Sequence, residues 1–231
     1  MTDALEAGRA LLEARRTGAL LTWLEDASRA LVDGDGTVLA GSVSEQLVAE
    51  AMAMIGAGRS GMIESTSGDV FVEVLEPEPR LLVFGAGPIA EALCSMAVVA
   101  GFAVEVADPR PAFAREERFP AATAVRRGWP ADLVQEMAPD ISSYVVSLLH
   151  EARFEEELLP ALLGTEARYL GALGSNRTHE ARRRRLEEAG FSADEIDRIH
   201  GPVGLDVGAV TPEEIAVAIL AQVVAVRRGA D

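Results

Sequence analysis

The chain has 231 residues, 49% of them hydrophobic, enough to bury a substantial core, and a net charge of −16 that disfavours nucleic acid and anionic membranes as partners. All 21 basic residues are arginine, which excludes a P-loop lysine, a Schiff-base lysine and a lysine general base. The single cysteine, Cys94, excludes an internal disulfide, a four-cysteine zinc site and an iron–sulfur cluster built from one chain.

The opening "MTDALEAGRALLEARR" is too charged for a signal peptide, and no apolar run approaches the ~18 residues of a membrane span. A cytoplasmic protein is therefore expected. Residues 4–16 carry helical periodicity, with Leu5, Leu11 and Leu12 on the apolar side. "ALLTWLE" and "SRALVDGDGTVLAG" read as short strands, the second turning at Asp-Gly-Asp-Gly. "SVSEQLVAEAMAMIGAG" reads as a helix capped by Ser42 or Ser44 and stopped by Gly56 or Gly58. "GMIES" and "DVFVEVLEP" form a further hairpin around "TSGD". Residues 1–76 thus make a small α+β domain.

"EPEPR" at 76–80 marks the boundary, because alternating Glu and Pro support neither helix nor strand. Over 77–231 the order becomes strand, helix, strand. Strands are expected at 81–84, 103–107, 122–126, 143–149 and 168–173, and helices at 88–100, 130–138, 152–163, 177–189 and 211–228. This alternation predicts an α/β, Rossmann-like, doubly wound parallel sheet covered on both faces.

"LLVFGAGPIAEAL" (81–93) places Gly85-Ala86-Gly87-Pro88-Ile89-Ala90 between a strand and a helix, the context that the G-x-G-x-x-G/A fingerprint requires. The first glycine permits a tight turn, the second lets backbone approach a pyrophosphate, and Ala90 allows close helix–strand packing. Asp108 ends the next strand, where a carboxylate takes a ribose diol, and Arg110 stands close enough to meet a 2′-phosphate. Pro88 suits a first helical turn but removes one amide that would point at an anion. The loop supports nucleotide binding and argues against assuming an ordinary dehydrogenase.

His150 follows a buried strand, at the edge where doubly wound sheets keep ligands, with Glu151 and Glu155 beside it to bind a metal or move a proton; a strand-capping histidine satisfied by a carboxylate is the plainer reading. "GSNRTH" puts Gly174, Ser175 and Asn176 before a helix, with Ser175 or Asn176 as N-cap and Arg177 as a bidentate anion donor. Arg182–Arg185 read as a solvated helix face paired with Glu180, Glu187 and Glu188. In "GPVGLDVGAVTPEE", Gly204, Asp206 and Gly208 lie in a loop before a helix whose Thr211 and Glu214 form a capping box, whereas Asp206 has no such structural duty. Asp206 is expected to line the cleft with His150.

"YLGALGSNRTHEARRRRLEEAGF" and "RIHGPVGLDVGAVTPEEIAVAILAQVVAVRR", with "FPAAT", "ADPRP" and "LLVFGAGPIA" in the same order, resemble the C-terminal domain of the XdhC/CoxI family over roughly residues 76–229. That resemblance implies an accessory protein of molybdenum hydroxylases of the xanthine or carbon monoxide dehydrogenase type. Such a protein binds molybdenum cofactor or molybdopterin cytosine dinucleotide during sulfuration and hands it to the apo-enzyme. It also implies a homodimer and dealings with a cofactor sulfurase or cytidylyltransferase. Two departures stand out. "GSVSEQLVAEAM" has Glu45-Gln46-Leu47 where the family carries glycines and a cysteine, and Leu149 replaces the threonine of a Thr-His-Asp segment. The competing readings are an NAD(P)-dependent oxidoreductase using His150, and an interaction module with a vestigial site.

Overall fold

The computed structural model describes residues 3–65 and 68–230. Two compact units emerge, one covering Met1–Pro77 with Arg228–Ala230, the other Glu78–Arg227.

The first unit is an antiparallel sheet flanked by two helices. Its strands β1 (Gly18–Trp23), β2 (Arg29–Asp33), β3 (Val38–Ala40), β4 (Gly61–Ser65) and β5 (Gly68–Leu75) lie in the order β3-β2-β1-β5-β4. Alternation along β1 sends Ala19 and Leu21 to one face and Leu20 to the other. Helix α2 (Glu45–Ala57), capped by Ser44, buries Leu47 and Ala51 on the first face. Helix α1 (Ala4–Glu13) covers the second with Ala4, Gly8 and Leu11, and Leu5 turns out to be exposed. The small residues Ala4 and Gly8 sit inward because the helix lies close to the sheet. Thr66 and Ser67, in the turn expected at "TSGD", fall outside the described residues.

The second unit is a parallel sheet of six strands: β6 (Arg80–Phe84), β7 (Ala103–Asp108), β8 (Ala124–Arg127), β9 (Ser143–Ser147), β10 (Tyr169–Ala172) and β11 (Ile199–His200). Their order, β11-β10-β9-β6-β7-β8, is the Rossmann order 3-2-1-4-5-6 read from its other end. Alternate side chains feed opposite cores, as burial of a sheet on both faces demands. Leu81 and Val83 meet α3 (Pro88–Val99) and α8 (Pro212–Arg228) through Leu93, Ile219 and Val223. Leu82 and Phe84 meet α4 (Pro130–Met137) and α5 (Ala152–Leu163) through Leu133 and Leu158. Leu186 of α6 (Asn176–Glu188) and Ile196 of α7 (Ala193–Asp197) extend the second core. Cys94 is sealed inside α3, where burial pushes its thiol up to about 11.

Two elements escape the periodicity argument. α7 is five residues long and β11 two, both too short to display a period.

Candidate functional site

The strand order reverses direction between β6 and β9, so a crevice opens beyond their carboxyl ends. Gly85 follows β6 there at φ +110°, and a Cβ on it would stand 3.0 Å from the Leu148 carbonyl carbon and 3.1 Å from the Leu149 nitrogen. Both the backbone angle and the contact with the loop after β9 require glycine. Gly87, the N-cap of α3, is different: a Cβ there would meet nothing within 4 Å. Pro88 occupies the first turn, as its preset φ favours, and the Ala86 side chain is buried. The loop therefore has one glycine for the fold and one facing open space.

Asp108 is fully buried at the end of β7, and the loop itself uses its carboxylate. Oδ2 accepts the Ala86 N–H at 2.8 Å and Arg110 Nη2–H at 2.9 Å. Oδ1 accepts the Arg110 backbone N–H at 2.8 Å and Nε–H at 2.9 Å. Burial pushes this carboxyl up, but the Arg110 and Ala86 hydrogen bonds and the arginine charge outweigh burial and hold it below the usual range. Asp108 thus braces the glycine loop, and the group it presents outward is Arg110. That guanidinium stacks 4.1 Å from the Phe113 ring centroid and reaches Glu151 Oε1 at 3.1 Å, spanning from the loop after β7 to the start of α5.

His150 sits exposed in the loop between β9 and α5, and among the described residues its ring has no hydrogen-bond or ion-pair partner. Its expected acidic companions are committed elsewhere. Glu151 pairs with Arg110 and Arg153, and Glu155 is buried against Arg182. Among the described residues no group of histidine, cysteine and carboxylate side chains is placed to hold a metal.

A second recess of about 490 Å³ lies beyond β10 and β11, between the Leu173–Asn176 loop and the Pro202–Ala209 loop. Gly174, Ser175, Gly204 and Asp206 line it, as does α8 through Ile215 and Ala218. His150 is not part of its lining, so Asp206 and His150 occupy separate places on the same sheet edge. Ser175 Oγ caps α6 by accepting the Thr178 N–H at 3.2 Å, and Arg177 is exposed on the first turn. Gln222 of α8 fixes the far wall, its Oε1 accepting both the Tyr169 hydroxyl at 2.6 Å and the Gly204 N–H at 2.8 Å.

The solvated face expected at Arg182–Arg185 needs correction. Arg182 is buried at 1% exposure, pairs with Glu155 through Nε, donates from Nη2 to the Leu173 carbonyl at 2.8 Å and lies 3.2 Å through Nη1 from His179 Nδ1. Its neighbours also find partners on other elements, Asp197 for Arg183 and Glu155 and Glu156 for Arg185. His179 packs against Gly201 so closely that a Cβ there would fall onto its ring. Burial, then the charges of Arg182 and Arg183, push its pKa below the ordinary histidine value of 6.5. The signal that reveals this inward stripe is Leu186, with Arg182 and His179 at i−4 and i−7 from it.

Geometry of this kind, a glycine loop at the switch point of a 3-2-1-4-5-6 sheet, defines a Rossmann-type domain. The family model of the XdhC Rossmann domain matches residues 81–223, and the chain belongs to the XdhC family. It is 32% identical over 161 residues to a Bacillus subtilis protein described as a probable subunit of xanthine dehydrogenase, covering 69% of this chain and 46% of that protein. It is 31% identical over 151 residues to the Escherichia coli molybdenum cofactor insertion chaperone PaoD, covering 65% of this chain and 41% of the relative. The chain therefore spans less than half the length of these relatives. A crystal structure described as a xanthine dehydrogenase from Bacillus halodurans superposes with a TM-score of 0.70 at 27% identity, covering 98% of this chain and 64% of that one.

Proposed function

We propose that the chain is an accessory protein of a molybdenum hydroxylase, holding the molybdenum cofactor in a dinucleotide form such as molybdopterin cytosine dinucleotide before it enters the apo-enzyme. The observation that carries this reading is the open space at Gly87, beside a loop braced by Asp108, in a family whose relatives include a molybdenum cofactor insertion chaperone. The pyrophosphate of such a cargo would lie along Gly85–Ala90, held by backbone amides and by Arg110. His150, Gly174, Ser175, Arg177 and Gly204 frame the same edge. Pro88 leaves the loop one amide short, and Glu151 and Glu155, beside the exposed His150 in sequence, are committed to arginines, which suits a carrier. A homodimer is part of the proposal, supported by Val217 and Val224, exposed one above the other on α8. Sulfur installation would be the work of a separate sulfurase, because Cys94 is buried.

The test is calorimetric titration with molybdopterin cytosine dinucleotide and with NAD(P)H, paired with co-expression of the chain and a candidate hydroxylase. The expected results are binding of the molybdopterin dinucleotide, no oxidation of NAD(P)H by common carbonyl substrates, and a larger active fraction of the hydroxylase. Steady NADH turnover with a defined substrate would replace this reading with an NAD(P)-dependent oxidoreductase in which His150 moves the proton.

A further inference from the structure

We infer that Glu151 is the internal counter-anion of the glycine-loop crevice: its carboxylate holds Arg110 until a ligand phosphate displaces it, so the site admits a ligand that carries a pyrophosphate and refuses one without charge. The inference rests on the proposed carrier role and assigns a specificity-determining residue to that same site. Strand order places the contact. β6 lies between β7 and β9, Arg110 follows β7 and Glu151 follows β9, so their ion pair at 3.1 Å passes over the carboxyl end of β6, where Gly85–Ala90 runs. A dinucleotide laid along that loop meets the pair.

The two side chains are arranged for an exchange of partners. Asp108 grips the Arg110 guanidinium by its Nε–H and Nη2–H, at 2.9 Å each, and Phe113 covers one face of it at 4.1 Å. Nη1 is left to Glu151, so it can change acceptor while the arginine stays where it is. Glu151 has a second cation beside it: its Oε2 accepts Arg153 Nη2–H at 2.8 Å and Nε–H at 3.1 Å. Released from Arg110, the carboxylate keeps a partner and no charge is stranded. The Arg110–Glu151 pair is itself partly exposed, which limits what it contributes, and a phosphate of higher charge outcompetes a single carboxylate oxygen there. A neutral ligand does not.

The test is calorimetric titration with cytidine diphosphate and, as the uncharged probe, cytidine. Wild type is expected to bind the diphosphate and not cytidine. Glu151→Gln should tighten the diphosphate about fivefold, the fold-change of a partly exposed ion pair. Adding Glu151→Gln to Arg110→Gln should give no gain over Arg110→Gln alone. Arg153→Gln, at an exposed position, leaves Glu151 with Arg110 only, so it should weaken the diphosphate in wild type and much less in Glu151→Gln. Unchanged or lower affinity in Glu151→Gln, a gain that persists without Arg110, or an Arg153→Gln effect equal in both backgrounds would overturn the inference and leave the carrier reading standing. The same gain with NADP(H), and binding of neither cytidine diphosphate nor molybdopterin cytosine dinucleotide, would keep Glu151 in this role and sink the carrier reading. No binding of any of these probes by wild type or Glu151→Gln would sink both.

Discussion

Asp108 accepts the Ala86 amide proton at 2.8 Å, joining the end of β7 to the glycine loop after β6 through a side chain with no solvent exposure. The acidic residue at this position thus shapes the loop, and the outward-facing charge passes to Arg110. Asp108→Ala should destabilise the second unit by about 1–3 kcal/mol, because it leaves the Ala86 N–H and the Arg110 Nε–H and Nη2–H without their acceptor, Glu151 keeping only Nη1. If a nucleotide binds as proposed, the same change should weaken it by disordering the loop. Chemical denaturation and calorimetry on the same preparations check both effects.

The two loop glycines are expected to fail differently. Gly85→Ala meets the Leu148–Leu149 backbone at a positive φ and should lower the melting temperature markedly. Gly87→Val points into open space, so its melting temperature should stay close to that of wild type while the proposed nucleotide binding disappears. Thermal melts with a matched titration separate the two.

Arg182 and Glu155 are both buried, and removing one strands the other. Arg182→Met should cost about 3–5 kcal/mol, and adding Glu155→Leu should recover much of that loss by removing the orphaned carboxylate. Urea midpoints of the two single variants and the double variant measure the coupling.

His179 carries a pH signature. Its folded pKa lies below 6.5, so the unfolded chain takes up the proton first and stability falls as pH drops from 6.5 toward the folded value. Protonation would put an imidazolium beside the Arg182 guanidinium. Wild type should lose melting temperature as the pH falls through and below 6.5, and His179→Gln should flatten that dependence.

Much of the second unit was legible because its signals are local. β6 and α3 announce themselves by an apolar run, two glycines and a proline, and α5 spans the residues 152–163 that its periodicity predicts. The capping box of Thr211 and Glu214 is present, with Glu214 accepting from the Thr211 N–H at 3.0 Å. What a linear pattern hides is pairing at a distance. Nothing in "ARRRR" says which arginine turns inward; Glu155, on a different helix, decides it. The fate of Asp108 was hidden likewise, since spacing places a carboxylate near the loop but not which donors will claim it.

Arg80, at the opposite edge of the sheet, carries a further consequence. Its guanidinium donates to the Met137 and Ala138 carbonyls at 2.9 and 2.8 Å and to Ser143 Oγ at 3.0 Å, and lies 3.6 Å from Glu105 and 3.5 Å from Asp140. One side chain thereby closes the C-terminus of α4 and clamps the starts of β6 and β9 together. Strand starts hold this sheet shut and strand ends face the crevice, so the residues that close the sheet are not those that line the crevice. Residues at the strand ends, such as Arg110, can therefore vary while Arg80 keeps the sheet closed.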